Sequence, residues 1–538
     1  MTKKLNLKVN NVRIALNDEQ DLVGAVAKKL KVNKETISEI KVLRRAVDAR
    51  RKSNISIIYH VSLSISDGAK NKNRLLRDND ITEFRVAQEE SLKYGGAELD
   101  ERPIVVGAGP AGLLAAYWLA KHGYRPLLLE RGKALPERIK DVSRFWGGGA
   151  FDEESNVQFG EGGAGTFSDG KLTTRVNDPI MQKILKLFVD CGAPETILTE
   201  QKPHVGTDKL RAMVAKITAQ IRSLGGEVRF QSQLTDLKIK NNQVCGVVIN
   251  HSEQLNSNVV ILACGHSARD TYELLHKRAV AMEAKTFSIG LRIEHPQTTI
   301  DQAQYGEFAG HPLLGVADYA LVHHEPTTKR SAYSFCMCPG GVVVASSSEK
   351  GGVVTNGMSM HSRNSGLANS AVVVNVGPGD FDNNPLGGVE FQRYYERLAY
   401  ITGGANYMAP GQSVESFIRN TSPTWSNDLK PTYRPGIKLS ALELLLPNMV
   451  STTLKAGLIA FDSKIKGFAG PQGFLTGIET RTSAPLRIVR NTESYESISH
   501  MGLYPTGEGA GYAGGIMSAA LDGYKVASGV IKKFKPLQ

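Results

Sequence analysis

The spacing of apolar positions changes along the chain, and each change predicts a different kind of element. "ISIIYHVSLSIS" alternates, with Ile55, Ile57, Tyr59, Val61, Leu63 and Ile65 on one face and Ser56, His60, Ser62 and Ser64 on the other, which predicts a half-buried strand. Upstream, Leu5 to Leu16 reads as a strand. Asp21 to Leu30 reads as a helix with Leu22, Val26 and Leu30 on one side and Asp18 near its start. Together these predict a small α/β module that ends in the polar run "DGAKNKNRLLRDND", with "QEESLKYGGAELDERP" as a linker.

From Pro103 the alternation gives way to continuous apolar runs. In "PIVVGAGPAGLLAAYWLAKHGYRPLLLERG" a buried strand leads through glycines into an apolar helix and a second buried strand, the pattern of a βαβ unit. The helix "TDKLRAMVAKITAQIRSLG", the strand "EVRF", short strands through "DLKIKNNQVCGVVIN" and the buried strand "NVVILACG" follow. Residues from about 280 to 440 are richer in short β segments and glycine. The chain closes on a turn and a helix, "GLYPTGEGAGYAGGIMSAALDGYKVASGVIKKF", and no internal repeat is visible.

Composition narrows this picture. At 538 residues the chain implies about three domains, and 41% hydrophobic with 22% charged residues is ordinary for a globular protein. No apolar run approaches the roughly 18 residues a membrane span needs. The opening "MTKKLNLKVNNVR" has no apolar core of a signal peptide, so a cytoplasmic location is expected. Five scattered cysteines, Cys191, Cys245, Cys264, Cys336 and Cys338, read as reduced thiols. Of the net charge of +12, most falls before residue 86, where 19 Lys and Arg face 10 Asp and Glu. The basic character therefore belongs to the N-terminal module.

GxGxxG occurs at Gly107/Gly109/Gly112, at Gly160/Gly162/Gly165 and at Gly509/Gly511/Gly514. The first match has a strand before it, a helix after it and Glu130 at the end of the next strand. That context is a dinucleotide site: glycines allow close approach to a pyrophosphate, the helix N-terminus faces it, and Glu130 accepts from the ribose hydroxyls. The second, in "GEGGAGTFSDGKL", lacks both flanking elements. It is either an extended loop along the cofactor, with Thr166, Ser168 and Asp169, or a surface loop. The third opens the last helix and aims its amides at an anion or at the electron-rich edge of a flavin, the alternative being a glycine-cushioned packing contact.

"VVGAGPAG…LLLERG", "GEGGAGTFSDGKL", "VVILACGHSARD" and "GLYPTGEGAGYAGG" together resemble FAD-dependent oxidoreductases of the two-dinucleotide-binding type. With "YSFCMCPGG", "VVTNGMS", "ETRTSAPLRI" and "LRRAVDARRK", the chain resembles more narrowly the bacterial family of uncharacterised FAD-dependent dehydrogenases. The resemblance implies an α/β fold. A Rossmann-like FAD-binding domain would be built from discontinuous segments (100–278 and 441–538), with an inserted β-rich α+β substrate domain (279–440) and the basic N-terminal module (1–88).

By position, the resemblance assigns Gly107, Gly109, Pro110, Ala111 and Gly112 to the pyrophosphate, Glu130 to the ribose and Arg131 to the adenosine end. Gly163, Ala164, Gly165 and Thr166 would lie beside the pyrophosphate and isoalloxazine. Gly265 would return the chain to the cofactor, and Glu508, Gly509, Gly511 and Tyr512 would face the flavin. Cys264 stands where many relatives carry threonine, which removes a hydroxyl there.

The remaining candidates are fewer. If "AYSFCMC" is a strand, Cys336 and Cys338 share a face with Cα atoms about 6.5 to 7 Å apart, too far and too parallel for a ready disulfide. They are then either small buried hydrophobes or a thiol wall near the flavin, and no metal site is expected. Cys338, Arg481 and Arg292 are the catalytic or anion-clamp candidates, each arginine reading more readily as a structural salt bridge than as a clamp, with His361 and Asn356 behind them. The expected activity is hydride transfer through a non-covalent FAD to or from a small-molecule substrate, with NADH or NADPH as a transient reductant. A rival reading makes the chain an RNA-binding flavoprotein, acting in base modification or redox sensing through its basic module. The absence of interleaved exposed aromatics there weighs against that rival.

Overall fold

The computed structural model describes residues 4–66, 68–84, 92–425 and 429–537, and it divides into two compact units. The first holds residues 1–91 with two later segments, 194–204 and 301–317; the second holds the rest.

The first unit runs β1 (Leu5–Ala15), α1 (Leu22–Leu30), β2 (Ile37–Asp48), β3 (Ser56–Ile65), α2 (Gly68–Leu75) and β4 (Ile81–Glu83). The antiparallel sheet is ordered β2-β3-β1-β4, a βαββαβ plait. α1 starts at Asp21, whose carboxylate accepts from the Gly24 amide, and Lys31 ends it in the left-handed region. Leu7, Val9, Val26, Leu30, Val61, Leu63 and Leu75 form its core. Two departures from expectation stand out. The basic stretch around Arg44 is the edge strand β2, hidden in the sequence because register shifts at Ser38/Lys41 and Val42/Arg44 break its alternation. The polar run expected to end the module carries α2 and is followed by β4, which joins the sheet. Of the expected linker, residues 88–91 lie outside the described residues.

The second unit opens with β5 (Ile104–Val106), α3 (Pro110–Lys121), β6 (Leu127–Leu129), α4 (Leu135–Trp146), α5 (Ile180–Asp190), α6 (Thr207–Ser223) and β7 (Glu227–Arg229). A three-stranded antiparallel sheet follows, β8 (Leu234–Lys240), β9 (Gln243–Ile249) and β10 (Glu253–Asn256), then β11 (Val260–Leu262), α7 (Arg269–Lys277) and β12 (Met282–Ala284). Next come β13 (Phe287–Pro296), α8 (Gln297–Tyr305), β14 (Val322–Glu325), β15 (Arg330–Cys338), β16 (Val342–Ala345), β17 (Thr355–Met358), β18 (Leu367–Val376), α9 (Gly387–Thr402), β19 (Ala409–Ser413), α10 (Val414–Arg419) and β20 (Ile437–Leu439). The chain finishes with α11 (Asn448–Asp462), β21 (Phe474–Glu479), β22 (Leu486–Ile488), β23 (Leu503–Pro505) and α12 (Ile516–Lys533).

The parallel sheet, ordered β23-β11-β5-β6-β7, takes its edge strand from the far end of the chain. α12 packs on α3, and Gly523 permits this: a Cβ there would lie 2.0 Å from the Ala111 carbonyl oxygen. The intervening chain leaves along β12 and returns along its antiparallel partner β22. Between them stands a seven-stranded sheet, β14-β15-β18-β13-β21-β19-β20. The expected boundary at 440 is thereby corrected. β21 pairs with β13 and β19 inside that sheet, and α11 lies against its strands, so the insertion continues to Glu479. Among the described residues no helix is long and apolar enough to cross a membrane.

Candidate functional site

The first glycine turn is shaped by backbone contact. Gly107, at φ 100°, donates to the Leu129 carbonyl, and a Cβ on it would lie 2.3 Å from the Ala263 oxygen. A Cβ on Gly112 would lie 1.8 Å from the Gly107 oxygen, so only glycine lets α3 begin this close to the turn. Pro110 occupies the first turn of α3, where a missing N–H costs nothing. Glu130, 5% exposed, accepts from the amides of Ala108 (2.8 Å), Gly132 (2.9 Å) and Gly160 (2.8 Å). Three of its roughly four acceptor positions are thus bound to backbone, leaving about one for a ribose hydroxyl.

The second glycine segment is part of the same structure, not a surface loop. Gly162 donates to the Ala108 oxygen at 2.9 Å, and a Cβ on Gly163 would lie 2.9 Å from the Gly109 Cα. Gly165 lies beside Pro110 and Ile516, and the Thr166 hydroxyl donates to the Glu161 oxygen. The residue that holds this loop was not anticipated. Arg138 on α4 is fully buried and donates to the carbonyls of Asn156, Val157, Gly160, Glu161 and Gly163 at 2.6–3.2 Å. Burial lowers its pKa to about 9, so it stays cationic at neutral pH. Arg131, expected at the adenosine end, is paired with Glu154 and Asp270 and stacks on Phe159 at 4.2 Å.

The third segment meets the first two. A Cβ on Gly509 would lie 2.3 Å from the Gly265 oxygen, and the Tyr272 hydroxyl donates to the Gly509 oxygen at 2.8 Å. Asp522 on α12 accepts from the Gly507 amide and the Thr506 hydroxyl and is paired with Arg490. Gly511 packs under Arg487, while the Tyr512 ring lies 3.8 Å from the Arg490 guanidinium and its hydroxyl accepts from the Arg490 amide, so both support the returning strand. Glu508 is half-buried, and desolvation pushes its carboxyl up to about 7 against the opposing pull of Lys285. Burial, then Arg481 and Arg269, lower His266 to about 3.

These groups are desolvated yet partly accessible, as expected of side chains lining a cavity. Gly265, Gly514 and Gly515 border open space: a Cβ at any of them would meet nothing within 4 Å. Open glycine backbone together with the free first-turn amides of α3 and α12 fits a pyrophosphate-linked dinucleotide.

The cysteines do not share a face. Cys336 has φ 44° at a register shift between Phe335 and Cys338, and this extra residue reverses the alternation, leaving Cys336 exposed and Cys338 buried. The Cys338 thiol donates to the Cys336 carbonyl, and all five cysteines are free. Desolvation pushes Cys336 up to about 12 and raises Cys338, so neither is a thiolate at neutral pH.

Both anion-clamp candidates are bound internally. Arg292 donates to Glu479 (3.1 Å), Asn369 (2.9 Å) and the Cys336 carbonyl (2.8 Å). Arg481 is bidentate to Glu396 at 3.0 and 2.8 Å and also binds Ser267 and Ser348, while Glu396 is shared with Arg269. His361 contacts the Val205 oxygen, and the Asn356 side chain accepts from the Gly357 amide. Asp169, 3% exposed and held by Arg363, Ser359 and Lys171, joins the second glycine loop to the insertion.

A parallel sheet completed by the chain's last strand, three converging glycine segments and an inserted sheet define a flavoprotein of the FAD-dependent oxidoreductase class. Residues 286–482 match the family model "FAD-dependent protein, C-terminal domain-like", and residues 105–157 match an NAD(P)-binding Rossmann-like domain. Residues 1–64 match a domain of unknown function. An uncharacterised protein of Clostridium beijerinckii is 48% identical over 533 residues, covering 98% of this chain and 99% of that one. The chain belongs to this family of FAD-dependent proteins. Thiamine thiazole synthase of Aeropyrum pernix is 29% identical over 191 residues, a match spanning 33% of this chain and 59% of the synthase. Glycine oxidase from Bacillus cereus is a structural neighbour at 10% identity and TM-score 0.35, covering 81% of this chain and 98% of the oxidase.

Proposed function

We propose that this chain is an FAD-dependent dehydrogenase whose own small-molecule substrate delivers the hydride, in a cavity between the glycine segments and the inserted sheet. FAD, when bound, accepts the electron pair. Gly109, Gly163 and the first-turn amides of α3 would hold the pyrophosphate, with Glu130 offering its remaining acceptor to the ribose. The start of α12, opened by Gly514 and Gly515, would set the helix's free first-turn amides against the ring edge where negative charge develops. Glu508 would hold a proton up to about pH 7 beside Lys285, which allows it to donate as well as accept. The binding would be non-covalent, and the free thiols suit the reducing cytoplasm.

The observation that carries this choice is that, among the described residues, the parallel sheet has only one strand, glycine turn and helix of the dinucleotide type, at β5 and α3. This leaves no dedicated nicotinamide domain. The test is anaerobic stopped-flow mixing of the yellow protein with NADH and with NADPH, following the flavin's visible absorbance. The expected result is no rapid bleaching by either, in a protein that dithionite does reduce. Rapid bleaching by NADH or NADPH would instead establish a nicotinamide-dependent reductase.

A further inference from the structure

We infer that the face of the N-terminal sheet opposite α1 and α2 binds RNA through its phosphodiester backbone, a property separate from the flavin chemistry. In the first unit α1 and α2 both pack on one side of the sheet, with Leu7, Val9, Val61 and Leu63 pointing toward them. Strict alternation sends the next residues to the other side. The register aligns them in rows. Lys8 stands beside Ser62 and Ser62 beside Lys41; one step along, His60 stands beside Arg44. Neighbouring strands are about 4.8 Å apart and successive same-face residues about 6.6 Å apart. Lys8, Lys41 and Arg44 therefore fall within a field of about 10 by 7 Å on three adjacent strands.

The surrounding acids neutralise this field only in part. Glu39, at one end, is hydrogen-bonded by Lys4 and Ser64 and attracts Lys41 at longer range. Asp48, at the other, is taken by Arg13 and Arg50. Asp80, the carboxylate nearest His60 from the β4 side, is taken by Lys29 and Asn11. Among the described residues Lys8, Lys41 and Arg44 have no ion pair. His60 registers the field: after burial, Arg44 and Lys8 are the main causes that hold its pKa below the usual imidazole value.

Keeping three cations together with no ion pair of their own costs stability in a sheet. A polyanion recovers that cost by giving up its condensed counterions. The face between the cations is small and flat, with Ser62 and Ser64 almost fully covered, and Tyr59 is turned to the core side. Its one ring among the described residues, His60, is part-buried and bound to Asn10, so recognition is chiefly of phosphates, and Asn6 and Thr82 at its margin can meet ribose hydroxyls. This favours RNA, read without sequence preference.

The experiment is fluorescence anisotropy of the full-length holoprotein with a labelled uridine 20-mer, titrated at several KCl concentrations, with a thymidine 20-mer and phosphatidylserine vesicles as parallel arms. Three proteins are compared: the unaltered chain, Lys8→Glu/Arg44→Glu, and the charge-matched Lys28→Glu/Arg77→Glu, whose positions are exposed on α1 and just after α2. Retained flavin absorbance confirms that each is folded. The expected result is uridine binding that weakens at least about tenfold in the open-face variant, with its log–log salt slope reduced by about 1.4, while the control keeps its affinity. Equal losses in both variants, no uridine binding, tighter binding of the thymidine strand, or capture by vesicles in place of RNA would each overturn the assignment.

Discussion

Replacing Arg138 by methionine tests whether one buried guanidinium holds the second glycine loop against the first. Of the five carbonyls it serves, Gly160 also accepts from the Gly163 amide and Glu161 from the Thr166 hydroxyl, but Arg138 is the one charged donor to them, and methionine fills much of the volume without offering an N–H. A hydrogen bond to a charged group is worth about 1.5–3 kcal/mol net, so five at the low end add to about 7.5 kcal/mol. Relaxation of the loop toward water recovers part of this, and the expected loss is about 3–5 kcal/mol, as when a buried charge is removed from its partners. Because the loop packs directly on Gly109, the loss should fall first on cofactor retention. The assay is equilibrium FAD titration of the deflavinated protein by fluorescence quenching, together with urea unfolding. FAD affinity is expected to drop more than about tenfold and the urea midpoint to fall. Arg138→Lys should rescue little, since an ammonium cannot fork across five carbonyls. A variant that keeps full FAD affinity and an unchanged urea midpoint would refute the reasoning.

Two further outcomes are expected. Glu294 is fully buried, and desolvation, partly opposed by Thr432, raises its carboxyl to about 7, so the folded state takes up a proton that the unfolded state releases near pH 4.5. Stability should therefore fall as pH rises from about 4.5 to about 7 and level off above, and Glu294→Gln should flatten that slope in urea titrations between pH 5 and 8. For the cysteines, Cys336→Ser/Cys338→Ser should leave the rate of substrate or dithionite reduction of the flavin within about twofold. Iodoacetamide should modify Cys336 slowly at pH 7 and about tenfold faster per pH unit above it. Fast labelling at neutral pH would show an activated thiolate instead.

The site's first half was legible because its signal is local. Strand, glycine turn, helix and acid lie within thirty residues, each obeying its own period. The elements that failed to show are those whose shape depends on distant partners. β2 carries two register shifts, so its charges read as a cluster rather than a face. β21 and α11 look like any apolar strand and helix, and only pairing with β13 assigns them to the insertion. Arg138 sits on an ordinary amphipathic helix and gives no sign of pointing inward. Arg292 and Arg481 were recognised as important arginines, but the acids that claim them, Glu479 and Glu396, stand 187 and 85 residues away in the chain. The bulge at Cys336 reversed the facing of the two thiols through one backbone angle that no side-chain pattern records.

The edge strand β23 sits beside β11 although roughly 240 residues separate them in the chain. At about 5–20 residues per second, a ribosome takes roughly 12–50 s to pass from one to the other. During that interval the first glycine turn exists without Glu508, Gly514 or α12, and the whole insertion is made before they emerge. Cofactor loading is therefore a late event in the life of each molecule, timed by the order of synthesis, and cells short of FAD would accumulate chains with a finished N-terminal unit and an unsealed flavin domain.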